Sequence, residues 1–316
     1  MKKLCGIFLL TLLPMVASTQ IKRTINIETA GTLPNLIQND EKYEIEELTL
    51  TGELNGTDIR FIRQMSGVDY WFDDDYYSIS TPGKLKNLDI SNAKIVSGGE
   101  YYYRRSTSQY EYVFYSTKDN SISTYMFYEC KLTSIKIPNS VTSIGSYAFY
   151  ECSGLTSIEI PNSVTSIGAD AFKGTAWFNN QTDGIVYAGK FAYKYKGEMP
   201  VNTAIELKKG TLGVANKAFS SCSNLTAITI PNSVTNIGEE AFNGTAWDNN
   251  LPNGMVYVGK VAYKYKGAMP TNTSITLMDG TLGVAGGAFR GCSGLTSVTI
   301  PDGVTRIGDY AFSGCI

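Results

Sequence analysis

The side chains that could perform chemistry in this chain are carboxylates and six cysteines, because its 316 residues contain no histidine. The absence of histidine excludes Ser-His-Asp and Cys-His catalysis, and it removes the commonest nitrogen ligand of zinc, copper and non-haem iron. G-x-S-x-G and phosphate-binding-loop motifs are also missing from the sequence. We therefore predict a protein without enzymatic activity, without a cofactor and without a bound metal.

One acidic run, Asp73 to Asp75, raises the question of a cation site. The spaced ligands and the glycine of an EF-hand loop are absent from it, so a solvated acidic loop is the favoured interpretation and a cation site the alternative.

The formal net charge of the whole chain is −2, which argues against a nucleic-acid partner.

The first residues have the pattern of a secretory signal peptide. Lys2 and Lys3 precede an apolar run from Leu4 to Val16, and Ala17 and Ser18 supply a small-residue cleavage site. The run is too short to span a bilayer, and no later segment is long and apolar enough to do so. We predict that residues 1–18 are a signal peptide and that the mature protein is exported without a transmembrane segment.

An internal repeat determines the fold that must position these side chains. The dipeptide Ala-Phe recurs with spacings of 23 and 47 residues in alternation, so the whole pattern repeats every 70 residues. Its phenylalanines are Phe149, Phe172, Phe219, Phe242, Phe289 and Phe312, and Phe127 opens the series. Each block of 70 residues therefore corresponds to three coils of about 23 residues. We expect the six phenylalanines to form one continuous buried spine.

Within one coil, each residue type suggests a place in the structure. Ile158 and Ile160 alternate as in a short strand, and Pro161 ends that strand because it cannot donate to a sheet. Gly168 permits a bend before Ala171 and Phe172 return to the core. A single coil cannot bury its apolar edge alone, so the coils must stack.

The run from Cys152 to Phe172, C-S-G-L-T-S-I-E-I-P-N-S-V-T-S-I-G-x-x-A-F, resembles the BspA-like leucine-rich repeat of bacterial surface proteins. Near-copies of it cover residues 126–316, and the N-terminal part resembles the leader region of related exported proteins from anaerobic Gram-negative bacteria. The resemblance implies a right-handed, mainly-β leucine-rich-repeat solenoid at the outer cell surface. It also implies binding to other proteins or cells, since some members of the family are adhesins for host matrix proteins.

The domain organisation follows from these patterns. We expect an N-terminal cap with degenerate first coils over residues 19–125, repeats over 126–316, and hairpin insertions at 184–197 and 254–267. Short helices are predicted at Gly31–Ile37 and Asp58–Met65 in the cap. The tyrosine-rich insertions at 66–84 and 97–125 either cover the early coils, which is the favoured interpretation, or anchor a partner.

The cysteines follow the repeat. Cys130, Cys152, Cys222, Cys292 and Cys315 each lie three residues after a repeat phenylalanine, where Thr175 and Thr245 stand in two other coils. No C-x-x-C pair is present, so zinc is not expected. Stacked coils about 4.8 Å apart would allow disulfides Cys130–Cys152 and Cys292–Cys315. A ladder of buried thiols explains the shared position as well and is favoured.

The duplicated hairpins carry the best candidate binding residues. Lysines alternate with aromatic residues along the second strand of each hairpin, and we expect them to face solvent while the aromatic side chains pack. The candidate partner-binding residues are Lys190, Lys194, Lys196, Lys260, Lys264 and Lys266. Protection of a strand edge against aggregation is the competing interpretation.

Three functions remain open at this stage. The favoured one is a secreted or cell-surface repeat protein that mediates protein–protein interaction or adhesion, and the alternative is a carbohydrate-binding surface component. A glycan-cleaving enzyme, with carboxylates such as Glu159 paired across coils, is the third and least favoured. The outward positions of the repeat strands are small and flat, with no large anchor residue, so we expect that face to bind weakly on its own.

Overall fold

The computed structural model describes residues 20–70, 79–106 and 112–315. Over these residues the chain is a mainly-β solenoid of parallel coils about 23 residues apart, which confirms the expected fold class. The expected signal peptide at 1–18, with Cys5, and the acidic run Asp73–Asp75 lie outside the described residues.

The N-terminal part combines two helices with long strands and two antiparallel hairpins. Its elements are β1 (Lys22–Ile27), α1 (Leu33–Leu36), β2 (Glu47–Leu54), α2 (Gly56–Met65), β3 (Val68–Asp69), β4 (Ile79–Ser80), β5 (Asn87–Ile95), β6 (Gly98–Ser106), β7 (Tyr112–Thr117) and β8 (Ser121–Ile122). Both helices expected from the sequence are therefore present. The buried Asp58 carboxylate joins them, because it accepts hydrogen bonds from the backbone N–H groups of Asn55, Gly31 and Leu33.

The repeats form short strands, and a helix and a hairpin interrupt them twice. Their elements are β9 (Ser134–Lys136), β10 (Ser143–Ile144), β11 (Ser157–Glu159), β12 (Ser166–Ile167), α3 (Ala176–Asn179), β13 (Gly184–Ala188), β14 (Phe191–Lys196), β15 (Thr203–Glu206), β16 (Gly213–Val214), β17 (Leu225–Thr229), β18 (Asn236–Ile237), α4 (Ala246–Asn249), β19 (Gly254–Val258), β20 (Val261–Lys266), β21 (Thr273–Thr276), β22 (Gly283–Val284), β23 (Leu295–Thr299) and β24 (Arg306–Ile307).

The strands of the coils form two ladders, and most repeat coils contribute one strand to each. The first ladder contains the continuous parallel sheet β1-β2-β5-β9-β11 and continues as the pairs β15-β17 and β21-β23. The second ladder contains β8-β10-β12, then β16-β18 and β22-β24, with β14 and β20 pairing in parallel with β16 and β22. The antiparallel hairpins β13–β14 and β19–β20 are thus built into the solenoid and do not project freely from it.

The phenylalanine spine is not continuous, which corrects the expectation from the sequence. Its rings stack in three groups, Phe127–Phe149–Phe172, Phe219–Phe242 and Phe289–Phe312, with centroids 5.2–5.7 Å apart. After Phe172 the rings of Trp177 and Tyr193, 5.2 and 5.1 Å away, occupy the core. The hairpin occupies the place of a coil here, and it fills the spine with its own aromatic residues.

The two threonines in the cysteine position explain where the coil pattern changes. Thr175 is the N-cap of α3, and its hydroxyl accepts from the backbone N–H of Phe178 at 3.0 Å; Thr245 caps α4 in the same way through Asp248. A thiol is a weak acceptor, so a helix that starts at this position favours threonine over cysteine. Among the described cysteines, Cys130, Cys152 and Cys292 are buried free thiols, and Cys222 and Cys315 are half-buried free thiols. Burial raises the pKa of the Cys130 and Cys152 thiols.

The cap is fixed to the early coils by a buried arginine. Arg63 of α2 donates to the backbone carbonyl oxygens of Tyr125, Met126 and Tyr128 at 2.9–3.2 Å. Tyr103 from the second insertion stacks on Tyr125 with centroids 4.5 Å apart. The described aromatic residues of the insertions therefore mainly cover the early coils, although Tyr101, Tyr112 and Phe114 remain exposed.

Candidate functional site

The six candidate lysines divide into two classes. Lys190 and Lys260 lie in the hairpin turns and are exposed. The other four are half-buried and donate to their own chain, which differs from the expected solvent-facing arrangement. Lys194 pairs with Asp170 at 3.2 Å and Lys264 with Asp248 at 2.8 Å.

The remaining two lysines hold the turn after each short helix. Lys196 donates to the carbonyl oxygens of Asn179 and Gln181. Lys266 donates in the same way to Asn249 and Leu251, both at 2.6 Å. Lys194, Lys196, Lys264 and Lys266 therefore act within the fold, and Lys190 and Lys260 are the two candidate lysines whose amines face solvent.

A larger concave surface lies on the second ladder. A groove of about 920 Å³, which we call the ladder groove, runs over β8, β10 and β12 and is bounded by Tyr147, Arg306 and Tyr310. Its lining is rich in small hydroxyl side chains and includes Gly145 and Gly168. Ser121 and Ser143 are hydrogen-bonded to each other there at 2.9 Å, and Ser166 lies in register with Ser143 on the next strand.

The curvature of the solenoid brings distant coils to the same groove. Arg306 Nη1 donates to Thr165 Oγ1 at 2.9 Å, although 141 residues separate the two. Asn236 Nδ2 likewise reaches the carbonyl oxygen of Thr165 at 2.7 Å. Gly213 and Gly283 allow tight packing elsewhere in this ladder, because a Cβ atom would collide with the Phe191 ring of the paired strand at the first and with the Thr235 carbonyl oxygen at the second.

One position of the repeat, which reaches the groove in three coils, has an unusual backbone conformation. The residue two places before each repeat phenylalanine has φ between 51° and 68°, and these residues are Tyr125, Tyr147, Asp170, Lys217, Glu240, Gly287 and Tyr310. A non-glycine residue in this left-handed region costs roughly 1–2 kcal/mol. Three members of this row, Tyr147, Lys217 and Tyr310, line the ladder groove.

A second position of the same coils also has positive φ, so the residue types at the two positions can be compared. The residues two places after each phenylalanine also have positive φ, and they are Glu129, Glu151, Gly174, Ser221, Gly244, Gly291 and Gly314. Four of these seven are glycine, whereas one of seven is glycine in the row that reaches the groove. Both positions require a positive φ, yet the first row keeps a side chain at six of its seven positions and the second row at three of seven.

Sequence reasoning missed these groove residues because they occupy the two x positions of the I-G-x-x-A-F pattern. Those positions change from coil to coil while their flanks stay nearly fixed, as in Ser146-Tyr147, Asn216-Lys217 and Asp309-Tyr310. Variation confined to two places of a strict repeat is the signal by which the sequence marks them.

Some of the charged residues at the groove have ion-pair partners in the fold, and Arg306 has a carboxylate nearby that offsets its burial only in part. Lys217 pairs with Glu240 at 3.1 Å, and Glu239 pairs with Arg290. Burial raises the pKa of Glu239 despite the nearby Arg290. Burial also lowers the pKa of Arg306, and the charge of Asp309 opposes that effect only in part.

Within the described part of the chain, no group of three or more Cys, Asp or Glu residues could hold a metal ion. No helix among those same residues is long and apolar enough to cross a membrane.

The family model for the BspA type leucine rich repeat region matches residues 120–199 and 189–316, with six copies. No curated protein matches the chain.

Solved structures of repeat proteins also match, at low identity. A leucine-rich repeat protein from Bacteroides ovatus is 22% identical, with 64% of this chain and 70% of that chain covered and a TM-score of 0.23. A leucine rich cell surface protein from Faecalibacterium prausnitzii is 20% identical, with coverage of 68% and 73% and a TM-score of 0.23. The leucine rich repeat protein of T. pallidum is 23% identical, with coverage of 68% and 86% and a TM-score of 0.24.

Proposed function

Because this chain belongs to the BspA-type leucine-rich repeat family, we propose that it is an exported, non-catalytic surface protein that binds protein partners through the ladder groove. Export is supported by the signal-peptide pattern of residues 1–18. A protein-interaction role is the one that the family suggests. The absence of histidine supports a binding function over a catalytic one.

The composition of the groove is the observation that carries this proposal. Its lining is rich in tyrosine, serine, threonine and glycine, and includes Asn216 and Arg306. Tyrosine with serine, glycine and asparagine is also the composition of antibody binding loops, where rigid aromatic rings provide contact area and small polar groups adapt their hydrogen bonds. Tyrosine and arginine are also the residues that most often dominate the binding energy of protein interfaces.

The first ladder offers a weaker surface. Its outward residues, including Ser157, Ala227 and Ser297, are exposed but small, and no exposed tyrosine, tryptophan or arginine stands among the outward positions of β9, β11, β15, β17, β21 and β23. Since small residues seldom serve as energetic anchors, we assign binding to the second ladder.

The test uses the full chain and two substitutions in the groove. Tyr147→Ser together with Tyr310→Ser should weaken binding to a ligand from a matrix-protein array by at least about tenfold, because both rings would be lost from the groove walls. The matched control is Tyr101→Ser, since Tyr101 is 55% exposed and lies outside the groove lining. An equal loss in the control, or no protein ligand for the wild type, would refute the proposal.

Carbohydrate binding is the second candidate, and the partly exposed tyrosine rings above a floor of hydroxyl groups favour it. A glycan array measured beside the protein array separates the two functions. Binding to glycans alone, lost in the double tyrosine variant, would establish the second candidate in place of the first.

A further inference from the structure

Arg306 is the one guanidinium of the ladder groove, and its hydrogen bonds are incomplete. Nη1 donates to Thr165 Oγ1, while the buried Nε has no hydrogen-bond partner among the described residues. A buried donor without a partner is energetically unfavourable. A ligand that brings an acceptor atom to this guanidinium could therefore form the hydrogen bond that Nε lacks.

The repeat itself does not require an arginine at this place. Arg306 stands in the V-T-x-I segment at the position held by Ser143, Ser166 and Asn236 in three other coils. The strands that carry these residues belong to the same ladder. A small polar residue is therefore sufficient for the structure of the coil at this position, and folding of the ladder does not require the positive charge of Arg306.

Local charge also favours an anionic ligand. The groove lining contains the cations Lys118, Lys217 and Arg306 and the anions Glu239 and Asp309, whereas the whole chain has a net charge of −2. Both Glu239 and Lys217 have ion-pair partners in the fold. The groove is thus locally positive in a slightly acidic protein, which favours an acidic partner.

We propose that the ladder groove binds an extended acidic segment of a partner protein and that Arg306 holds one carboxylate of that segment, with Tyr147 and Tyr310 on either side. This inference rests on the proposed function. A guanidinium recognises a carboxylate through two parallel N–H···O bonds, and the free Nε is one of the donors that this geometry uses.

The size and chemistry of the groove fit a peptide segment. A volume of about 920 Å³ lies in the range of ligand pockets, so it can hold a loop or a strand but not a folded domain. The hydroxyl groups of Ser143, Ser166 and Thr142 can both donate and accept, so they can pair with the N–H and C=O groups of an extended backbone.

The experiment compares two short random-peptide libraries, displayed on phage and selected on the immobilised full chain. The libraries differ only in the central residue, which is Asp or Glu in one and Asn or Gln in the other. We expect selection to enrich binders from the acidic library. The dissociation constant of a selected peptide and of its Asp-to-Asn or Glu-to-Gln analogue is then measured by fluorescence anisotropy.

Variants of the protein test the role of Arg306. Arg306→Ser introduces the residue found in two equivalent coils. It should weaken binding of the acidic peptide by at least about tenfold, and the acidic peptide and its amide analogue should then bind with equal affinity. Arg306→Lys should recover part of the loss, because the charge returns without the bidentate geometry. Lys136→Ser removes the same charge from the first ladder and should leave the affinity unchanged.

The outcomes separate this inference from the proposed function. The proposed function itself would be refuted if neither library yielded a peptide that binds the wild type and fails to bind the Tyr147→Ser, Tyr310→Ser variant. Binders without preference for the acidic residue, or binders that are insensitive to Arg306→Ser, would overturn only the inference. Binding of uronic-acid oligosaccharides but of no peptide would overturn it as well. Should Arg306→Ser unfold the last coil, the acidic and amide peptides still give the comparison on the wild type.

Discussion

The two hairpin modules (α3 with β13–β14, and α4 with β19–β20) carry different residues at one equivalent position, Phe178 in the first and Asp248 in the second, and this difference changes how each module is held. In the first module Phe178 packs edge-on against the ring of Tyr193, with centroids 5.8 Å apart. In the second, Asp248 stands in its place, is 5% exposed, and accepts from Tyr263 at 2.8 Å. The same backbone is therefore stabilised by an aromatic contact in one copy and by a buried carboxylate in the other.

The replacement of Phe178 by Asp248 also changes the hydrogen bonds and ion pairs of the neighbouring tyrosine and lysine. In the first module the Tyr193 hydroxyl accepts from the backbone N–H of Phe172 at 2.9 Å, and Lys194 reaches Asp170. In the second, Lys264 pairs with Asp248, so it no longer holds the equivalent residue of the coil below. Burial and the adjacent Asp248 carboxylate both raise the pKa of the Tyr263 hydroxyl. A repeat of 70 residues thus preserves the shape of the hairpin, its threonine cap and its turn bonds, while the contacts around position 178/248 change.

The largest expected effect tests what the modules share. Phe172→Ala and Phe242→Ala each remove a fully buried ring that contacts the tryptophan and the tyrosine of its module, and each should lower the free energy of unfolding by about 3–5 kcal/mol. Phe312→Ala is the matched control and should cost less, because Phe312 is only half-buried. Chemical denaturation measures all three, and a loss at Phe312 equal to the others would contradict the comparison.

The next effect separates the modules. Asp248→Ala leaves Lys264 and the Tyr263 hydroxyl without their shared acceptor, so we expect a loss of about 3 kcal/mol. Phe178→Ala at the equivalent place should cost only about 1–2 kcal/mol, because that ring is half-buried. Asp248→Phe copies the first module and should be less harmful than Asp248→Ala. Equal losses from Asp248→Ala and Phe178→Ala would mean that the carboxylate adds nothing.

This contrast also marks what the sequence could predict. The period, the coils, the two hairpins and the cap helices follow from Ala-Phe spacing, alternation and capping residues, which are local patterns. The ladder groove does not, because the Arg306–Thr165 contact joins residues 141 positions apart in the sequence, which no local pattern predicts. The lysines illustrate the same limit, since alternation separates them from the aromatic residues but could not foresee that Asp248 and turn carbonyl oxygens lie on the lysine side and hold these lysines half-buried.

A smaller effect concerns those half-buried lysines. Lys264→Ser with Lys266→Ser should lower the free energy of unfolding by about 2 kcal/mol, since Asp248 stays buried without its cation. Lys194→Ser with Lys196→Ser should cost about 1 kcal/mol, because Asp170 is more exposed than Asp248. Thermal unfolding of the two double variants measures the difference. Identical melting temperatures for both variants and the wild type would show that these lysines do not hold the hairpins.

The smallest effect on stability, and the most direct test of the exposed lysines, comes from the hairpin turns. Lys190→Ser and Lys260→Ser, alone and together, should each change the free energy of unfolding by less than about 0.5 kcal/mol, because both side chains are exposed. We expect the double variant to bind an acidic partner more weakly, and the difference from the wild type to vanish as salt rises, because exposed charges are screened beyond about 8 Å at physiological ionic strength. Since the two turns are equivalent copies, each single variant should account for half of the effect on the free energy of binding. Affinity that is unaltered at low salt would instead assign Lys190 and Lys260 to protection of the strand edges.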